Sequence, residues 1–305
     1  MSEGLTFNSR RVYSFAVNRF LNFCSMYLLN PFSLDELLIL RFITYLADSG
    51  VAPSTVRVYL AGIRAWLING GSHPPIIYTQ RIKWALKAME RVAPLQSRVK
   101  PFSYSLFWDI IAFIFPSYDN KVCFTAMLLG YFACLRAAEY VWVPGSTQPL
   151  MPAHLRFVDS VPPHAVVSIQ SSKTAHRGFD VAIGCTGTTV CAVCWLKELL
   201  CTRPLHPKSP IFSLRDGTLL SRARLAQFMQ GALRAAGLDP NGYSPHSLRA
   251  GAATDAAGLG FTEAQIQALG RWKSDAFRLY IRPSQRHQAG LSSRLAMTSS
   301  RGHLH

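Results

Sequence analysis

Residues 244–254, SPHSLRAGAAT, carry a histidine and an arginine three positions apart at the predicted start of a helix. Ser244 is a favourable N-cap residue, and Pro245 suits the first helical position. His246 and Arg249 then share one helical face, near the positive end of the helix dipole. Two donors placed in this way suit an anion. An incidental basic pair at a polar helix start is the alternative, and the rest of the chain has to distinguish the two.

The charge of the chain indicates an anionic partner. Over 305 residues, 32 Lys and Arg stand against 16 Asp and Glu, giving a formal net charge of +16. Up to Pro94 there are 10 basic and 5 acidic residues, so the excess is +5 there and +11 in the remainder. A field of this kind favours a polyanion, most simply nucleic acid. A basic protein with no special partner would carry the same charge.

Several classes of protein fit the sequence poorly. No apolar run reaches the ~20 residues that a membrane span requires. The N-terminus, MSEGLTFNSRR, lacks the pattern of a signal peptide. Seven cysteines, an odd number scattered along the chain, fit a reducing compartment better than a disulfide framework. We therefore expect an intracellular protein that is neither secreted nor embedded in a membrane.

Residues 1–93 have the apolar periodicity of four helices. The second begins in SLDELLILRF, where Ser33 is the predicted cap and Glu36 occupies the capping-box position; Gly50 is its stop signal. This helical domain exposes basic side chains that we predict to contact DNA, although a merely solvated surface would carry the same charges. They are Arg57, Arg64, Lys83 and Lys87, together with Arg81 and Arg91.

Residues 94–103, PLQSRVKPFS, have the composition of a linker, and a second domain is predicted over 104–305. Most of this domain has helical periodicity, including a long helix through ACLRAAEYV. HAVVSIQ and FDVAIG are predicted to pair as a hairpin around SSKTAHRG. The predicted fold is mainly α with a small antiparallel β-sheet, in two domains: a helical N-terminal domain and a mixed α/β domain that ends in a polar tail.

Two further aromatic residues follow Arg249 in LGRWKSDAFRLYIR. Trp272 lies 23 positions after the arginine (272 − 249), and Tyr280 lies 8 positions after the tryptophan (280 − 272). Ser274 is predicted to cap a short helix that carries Tyr280 on an apolar stripe. On these residues alone, Trp272 is also explained as a core residue and Tyr280 as a packing residue.

The ordered set as a whole resembles the tyrosine recombinases, the phage-integrase-like family. H-x-x-R, some twenty residues, L-G-R-W and a tyrosine resemble the family's C-terminal signature. Arg136 and Glu139 in ACLRAAEYV resemble its first arginine and the acid that follows, and Lys173 stands where the family has its catalytic lysine. The resemblance extends over essentially the whole chain. Cys134 stands where many members have glycine, Trp272 where many have a second histidine, and the Trp-to-Tyr gap is one shorter than the commonest nine.

The resemblance implies an enzyme that cleaves and rejoins DNA. Tyr280 would attack the scissile phosphate and form a 3′-phosphotyrosyl bond, which conserves the phosphodiester energy. Arg136 and Arg249 would stabilise the charge on the phosphate oxygens. His246 would hydrogen-bond the phosphate or take the tyrosine proton, and the Trp272 N–H would donate to a phosphate oxygen.

Three further roles follow from the resemblance. Lys173 would protonate the leaving 5′ oxygen, and Glu139 would orient Arg136, for which a plain surface pair is the alternative. Arg177, in the hairpin connection, and Arg271, beside Trp272, are predicted DNA contacts. No metal or cofactor is implied.

The implied partner is double-stranded DNA, held by a homotetramer on two sites. HSLRAG and GRWKSDAFRLYIR look most like eukaryotic mobile-element recombinases of the Crypton, Ngaro and DIRS-like groups. This favours a nuclear location, or a cytoplasmic one in a host without a nucleus. A catalytically silent DNA-binding protein and a type IB topoisomerase that relaxes supercoils are the alternatives.

Four cysteines raise the question of a zinc site. Cys191 and Cys194 form a C-x-x-C motif, and Cys185 and Cys201 lie nearby. A closed structural zinc site requires four ligands. Cys194 and Cys201 lie seven apart in an apolar helical pattern, which suits core cysteines better. The sequence therefore favours no metal.

Overall fold

The structure of the protein is a computed structural model in which the chain forms two compact units, Met1–Ser97 and Arg98–His305. The residues that the structure describes are 7–33, 35–70, 79–94, 99–114, 116–144, 149–170, 178–203, 206, 208–281, 289 and 293. None of the helices in these ranges is both long and apolar enough to cross a bilayer.

The described residues of the first unit form four helices, as the periodicity predicts. They are α1 (Phe7–Met26), α2 (Glu36–Asp48), α3 (Pro53–Asn69) and α4 (Gln80–Val92). Their apolar faces enclose one core in which large side chains are withdrawn from water, such as Phe20, Phe42 and Leu60. The rings of Phe20 and Phe42 meet edge to face at 5.2 Å, a favourable geometry for an aromatic pair.

The cap of α2 differs from the prediction, which named Ser33. The N-cap is Asp35, whose carboxylate accepts the N–H of Leu38 at 2.6 Å. Glu36 does not close a capping box, because its carboxylate accepts hydrogen bonds from Thr79 and Arg81 at the start of α4. The acidic residue expected to serve its own helix therefore joins two helices of the unit.

The helices of the second unit surround a central buried helix. They are α5 (Tyr104–Ile111), α6 (Tyr118–Phe132), α7 (Ala192–Thr202), α8 (Arg222–Ala235), α9 (Pro245–Gly258) and α10 (Glu263–Gly270). Helix α6 is buried over nearly its whole length and packs against α7, α8 and α9. From Val122 to Tyr131 the helix is apolar on nearly all sides, so this part fits a position inside the unit, whereas the polar first turn is only half-buried.

A three-stranded antiparallel sheet completes the second unit. Its strands are β1 (Leu155–Val158), β2 (His164–Ile169) and β3 (Phe179–Gly184), in the order β1-β2-β3. Alternate residues of β2 are buried, and Val167 pairs with Val181 of β3. The predicted hairpin is confirmed, whereas β1 was not predicted. The fold is thus mainly α with a small antiparallel sheet, as predicted.

Part of the predicted linker packs into the second unit. The backbone N–H of Lys100 donates to Gly242 at 2.8 Å, and that of Phe102 donates to Ser247 at 2.9 Å. The Phe102 side chain is fully buried. Gly251 of α9 lies so close to the Phe102 carbonyl that a Cβ at this position would overlap the oxygen. The close contact fixes the N-terminal half of α9 against residues 99–102.

Candidate active site

Helix α9 places His246 and Arg249 in its first two turns. Ser244 is the N-cap and Pro245 the first helical residue, as predicted, and Ser247 Oγ accepts the Ser244 N–H at 3.0 Å. The Arg249 side chain is only 1% exposed. His246 is half-buried. An incidental surface arginine would not be buried as Arg249 is, because burying an unsatisfied charge is costly.

The Arg249 guanidinium joins two other segments of the unit. It donates to the carbonyl oxygens of Cys134 and Gly270, and its Cζ lies 4.3 Å from the centre of the Trp272 ring. A Cβ at position 270 would overlap the indole, so only glycine lets Trp272 lie against the end of α10. Trp272 is 8% exposed and forms one wall of the arginine's pocket.

The chain around Arg136 turns where a longer helix was predicted. Helix α6 ends at Phe132, and Cys134 has a left-handed backbone with φ of 48°. Glycine adopts this conformation most easily, so Cys134 has a backbone conformation that is uncommon for a residue with a side chain. A 3₁₀ turn, Ala137–Glu139, follows Arg136. The predicted helix through ACLRAAEYV is therefore wrong beyond position 132.

Glu139 orients Arg136 through two contacts. Its carboxylate accepts the Arg136 backbone N–H at 2.8 Å and the Arg136 Nη1 at 3.0 Å. The Glu139 side chain is 2% exposed, and that of Arg136 is 28% exposed. The pair is therefore a buried carboxylate that holds a partly exposed guanidinium, unlike a solvated surface pair.

Arg271 binds the same turn from another direction. Its guanidinium donates to the carbonyl oxygens of Ala133 and Cys134 at 3.1 and 3.0 Å, and it stacks over the Phe179 ring at 4.7 Å. The Cys134 carbonyl thus accepts from both Arg249 and Arg271. These bonds fix the turn before Arg136 to the N-terminal part of α9 and to the C-terminal end of α10. The predicted DNA contact of Arg271 stays a prediction.

Tyr280 follows a short 3₁₀ helix, Asp275–Leu279, whose N-cap is Ser274 as predicted. Its hydroxyl oxygen is 3.0 Å from His246 Nε2, and its ring centre is 5.6 Å from that of Trp272. Its carbonyl accepts a hydrogen bond from Thr254 Oγ1 at 2.7 Å. The phenol is therefore in hydrogen-bonding contact with a basic nitrogen, and its backbone is bound to α9.

No protein-family model matches the sequence, and no curated protein does. Solved structures of DNA recombinases do match. The Tn1549 transposon integrase in complex with circular intermediate DNA has a TM-score of 0.64 at 10% identity, over 95% of this chain and 94% of that chain. The XerH site-specific recombinase bound to a difH substrate has a TM-score of 0.68 at 14% identity, over 93% and 78%. A lambda integrase dimer bound to a COC′ core site has a TM-score of 0.60 at 16% identity, over 93% and 92%.

The chain has the fold of these recombinases and integrases. The resemblance predicted from the sequence is thereby confirmed at the level of the fold. The Crypton, Ngaro and DIRS-like subgroup is a finer assignment that stays a prediction.

Within this recombinase fold, positive charge converges on His246. Burial lowers the pKa of His246, and the charges of Arg249, Arg222 and Arg136 lower it further. Burial is also the main cause that lowers the pKa of Arg249, and repulsion from Arg136 and Arg271 adds to it. His246 is therefore neutral at neutral pH and able to accept a proton, in a field that attracts an anion.

Other predicted residues belong to the first unit or fall outside the described ranges. Lys173 and Arg177 fall in residues 171–177, which the structure does not describe. Four predicted DNA contacts are exposed in the first unit: Arg57, Arg64, Lys83 and Lys87. Arg57 forms an ion pair with Glu90 at 2.9 Å. Their contact with DNA stays a prediction.

Two residues of the site were missed in the sequence. Thr254 lies eight positions after His246, and this spacing places both on one face of α9. Arg222, at the start of α8, is close enough to His246 to lower its pKa. The spacing within α9 was a usable signal for Thr254, whereas Arg222 is brought in only by the packing of α8 against α9.

One prediction about the cysteines is wrong. Cys194 and Cys201 are exposed on α7 and do not belong to the core. Their separation of seven positions correctly predicted that Cys194 and Cys201 lie on one helix. The buried face of α7, however, is formed by other side chains, such as Leu196 and Leu199.

The depressed pKa of His246 predicts a pH-dependent stability. In the unfolded chain a histidine titrates near pH ~6.5, and in the folded protein its pKa is lower. Between these two values the unfolded chain binds the proton more readily, so the free energy of unfolding falls as the pH is lowered from ~6.5 through the folded-state pKa. We expect His246→Gln to lose less stability than the wild type between pH 7.5 and 5.5, as measured by urea denaturation. The same pH dependence in both proteins would contradict the assignment.

Proposed function

We propose that this protein is a site-specific DNA recombinase or integrase that acts through a phosphotyrosyl intermediate on Tyr280. One observation carries the proposal. The Tyr280 hydroxyl contacts Nε2 of a half-buried histidine whose pKa is lowered, beside the guanidinium groups of Arg136 and Arg249. This arrangement combines a nucleophile, a base and an anion site. The fold shared with DNA-bound recombinases supports the same function.

In the first step, Tyr280 Oη attacks the scissile phosphorus and passes its proton to His246 Nε2. The bond from phosphorus to the 5′ oxygen breaks, and that oxygen takes a proton from Lys173. A 3′-phosphotyrosyl bond and a free 5′ hydroxyl result. In the second step, the 5′ hydroxyl of a partner strand attacks the phosphorus and passes its proton to Lys173. The bond from phosphorus to Tyr280 Oη breaks, and Tyr280 takes back the proton held by His246. No ATP is needed, because each step exchanges one phosphate ester for another.

The arginines stabilise the charge that grows on the non-bridging oxygens. The buried Glu139 carboxylate forms an ion pair with Arg136. The Arg136 guanidinium is partly exposed, so a phosphate can reach it. Arg249 uses two N–H donors on carbonyls and has up to three left for the anion. Trp272 supports Arg249 with its ring and is proposed to donate its indole N–H to a phosphate oxygen. Fixed donors of this kind lower the activation barrier without reorganisation.

The remaining parts of the proposal concern assembly. The exposed basic residues of the first unit, with Arg177 and Arg271, would contact the DNA backbone and fix the register of the protein on the duplex. A homotetramer would bring two sites together for exchange. No cofactor takes part in this chemistry. A nuclear location goes with the Crypton, Ngaro and DIRS-like resemblance.

Covalent trapping tests the proposed function. A nicked duplex, taken from the DNA that flanks the encoding gene, loses a short fragment after cleavage, so that religation is blocked and the phosphotyrosyl adduct accumulates. We expect an SDS-resistant complex attached at the 3′ phosphate. A silent binding protein would bind the duplex and give no adduct. Joining of two different duplexes distinguishes a recombinase from an enzyme that only relaxes supercoiled DNA.

Thr254 is expected to position the nucleophile. Thr254→Val keeps the shape of the side chain and removes the hydrogen bond to the Tyr280 carbonyl, a bond worth about 0.5–1.5 kcal/mol. We expect adduct formation in a single turnover to slow by about two- to tenfold, with DNA affinity unchanged. Thr254→Ser, which keeps the hydroxyl, should restore the rate. If the valine variant reacts at the wild-type rate, the bond does not position Tyr280.

A further inference from the structure

Three sulfur atoms that the proposed DNA chemistry does not use meet at the start of α7. Cys185 Sγ lies 3.6 Å from Cys191 Sγ and 3.7 Å from Cys194 Sγ, and all three sulfurs lie within 4.8 Å of one another. Two thiolates on one tetrahedral zinc ion, with bonds of ~2.3 Å, are separated by about 3.8 Å. The two shortest separations therefore match those of a zinc site without rearrangement of the backbone.

The local structure explains why these cysteines converge. Cys185 directly follows β3 and is fixed there by its N–H, which donates to the Pro163 carbonyl at 2.8 Å. Cys191 is the N-cap residue of α7, and Cys194 lies in the first turn of that helix. The C-x-x-C spacing thus supplies two sulfurs from one helix start, and the end of a neighbouring strand supplies the third.

The surroundings suit a thiolate ligand set. The backbone N–H of Thr186 donates to Cys191 Sγ at 3.3 Å. Hydrogen bonds of this type hold a ligand sulfur in place and spread its negative charge. Cys191 is buried, Cys185 half-buried and Cys194 exposed, so one side of the cluster opens to solvent. In the described part of the chain, no fourth His, Cys, Asp or Glu joins the group.

We propose that Cys185, Cys191 and Cys194 bind a divalent metal ion of the zinc class. The three sulfurs would supply three of four tetrahedral positions, and water or an external donor would fill the fourth. Soft thiolate ligands favour zinc over magnesium or calcium. Binding replaces three S–H protons by three metal–sulfur bonds and involves no change of oxidation state. This proposal replaces the expectation, drawn from the spacing of Cys194 and Cys201, that the chain has no metal site.

The position of the site gives the ion a structural role. Strand β3 packs on α7, and α7 packs on the central helix α6. An ion at the junction would therefore join the sheet to the helical body. Strand β3 also follows residues 171–177, which include the predicted acid Lys173. Removing the metal should lower the stability of the second unit, while the hydrogen bond between His246 and Tyr280 does not depend on the ion.

Metal content measured on the full chain tests the proposal. The protein is purified under reducing conditions without chelator, loaded with Zn²⁺ and analysed by elemental mass spectrometry. Co²⁺ is loaded in parallel as a spectroscopic probe. We expect one ion per chain and thiolate-to-cobalt charge-transfer absorption. Cys185→Ser and Cys194→Ser should each weaken Zn²⁺ binding by at least about tenfold, and a chelator should lower the melting temperature of the wild type but not that of either variant.

Cys201→Ser is the matched control, because Cys201 is exposed on the same helix but lies outside the cluster. It should keep the full metal content, the cobalt spectrum and the response to chelator. The proposal is overturned if the reduced wild type binds no Zn²⁺, or if Cys201→Ser loses as much affinity as Cys194→Ser. It is also overturned if intact-mass analysis shows that the freshly purified protein has joined two of the three cysteines in a disulfide. Because Cys194 is exposed, its serine variant should still fold. A cooperative thermal melt of this variant would show that it has lost the metal and not the fold.

Discussion

Replacing Tyr280 by phenylalanine is expected to abolish covalent attachment to DNA and to leave DNA affinity unchanged. The variant keeps the ring that packs beside Trp272 and removes the one oxygen that contacts His246 Nε2. Because no other atom of the side chain is nucleophilic, we expect no residual adduct, rather than a slower reaction. The measurement is adduct formation on the nicked substrate under denaturing electrophoresis, together with equilibrium binding to the intact duplex.

Tyr243→Phe is the matched control. Tyr243 lies three residues before His246, and its ring packs against Phe102 at 5.9 Å. Removing its hydroxyl should leave the adduct at the wild-type level. An adduct that persisted in Tyr280→Phe would show that another residue attacks the phosphate, and peptide mapping of the trapped complex would then identify it.

Of the variants proposed here, Arg249→Ala should lose the most stability. It should also lose cleavage of DNA. The change removes two charge-assisted hydrogen bonds, to Cys134 and Gly270, and the cation that stacks on Trp272. Such bonds are worth about 1.5–3 kcal/mol each, and relief of repulsion from Arg136 and Arg271 offsets part of the loss, so we expect a net decrease of about 2–4 kcal/mol in the free energy of unfolding. Urea denaturation of the second unit, followed by tryptophan fluorescence, gives this value.

Two further variants separate the contributions of the Arg249 charge and of its planar guanidinium to the stability. Arg278→Ala removes an exposed arginine that pairs with Glu263, and it should change the stability by no more than about 1 kcal/mol. Arg249→Lys keeps the charge but has no planar fork, so one of the two carbonyls loses its donor. We expect its stability to lie between those of the wild type and Arg249→Ala. If Arg249→Ala were as stable as Arg278→Ala, Arg249 would not be the link between the turn at Cys134 and the end of α10.

The residues of the site were predictable from the sequence where their order and spacing suffice. His246 and Arg249 share a helix, and the gaps to Trp272 and Tyr280 are short. The structure brings these four residues together with Arg136, which lies more than a hundred positions before them. The helices and the hairpin were also predictable, because their apolar periods of 3.6 and 2 are read from consecutive residues.

The features that could not be predicted correctly from the sequence depend on contacts between distant segments. Glu36 would occupy the capping-box position if Ser33 were the cap, but the cap is Asp35 and Glu36 is the first residue of the helix. Its carboxylate instead accepts hydrogen bonds from Thr79 and Arg81 at the start of α4. Strand β1 has four residues and no alternation, so only its pairing with β2 defines it. The sequence raised Cys185, Cys191 and Cys194 as zinc ligands but favoured no metal. Cys185 follows a strand and its two partners lie at the start of a helix, so the spacing within the helix could not show that the three sulfurs meet.

Because guanidinium groups converge near His246, thermal denaturation can report whether an anionic ligand is bound there. Without an anion, Arg136, Arg249 and Arg271 repel one another, and this repulsion lowers the stability of the free protein. A ligand that binds only the folded state raises the melting temperature in proportion to the logarithm of its concentration relative to its Kd. Short duplexes can therefore be ranked by the melting shift that they cause, and added salt should reduce the shift. Such a screen works without turnover and on duplexes of any sequence, so the target site can be found by binding alone.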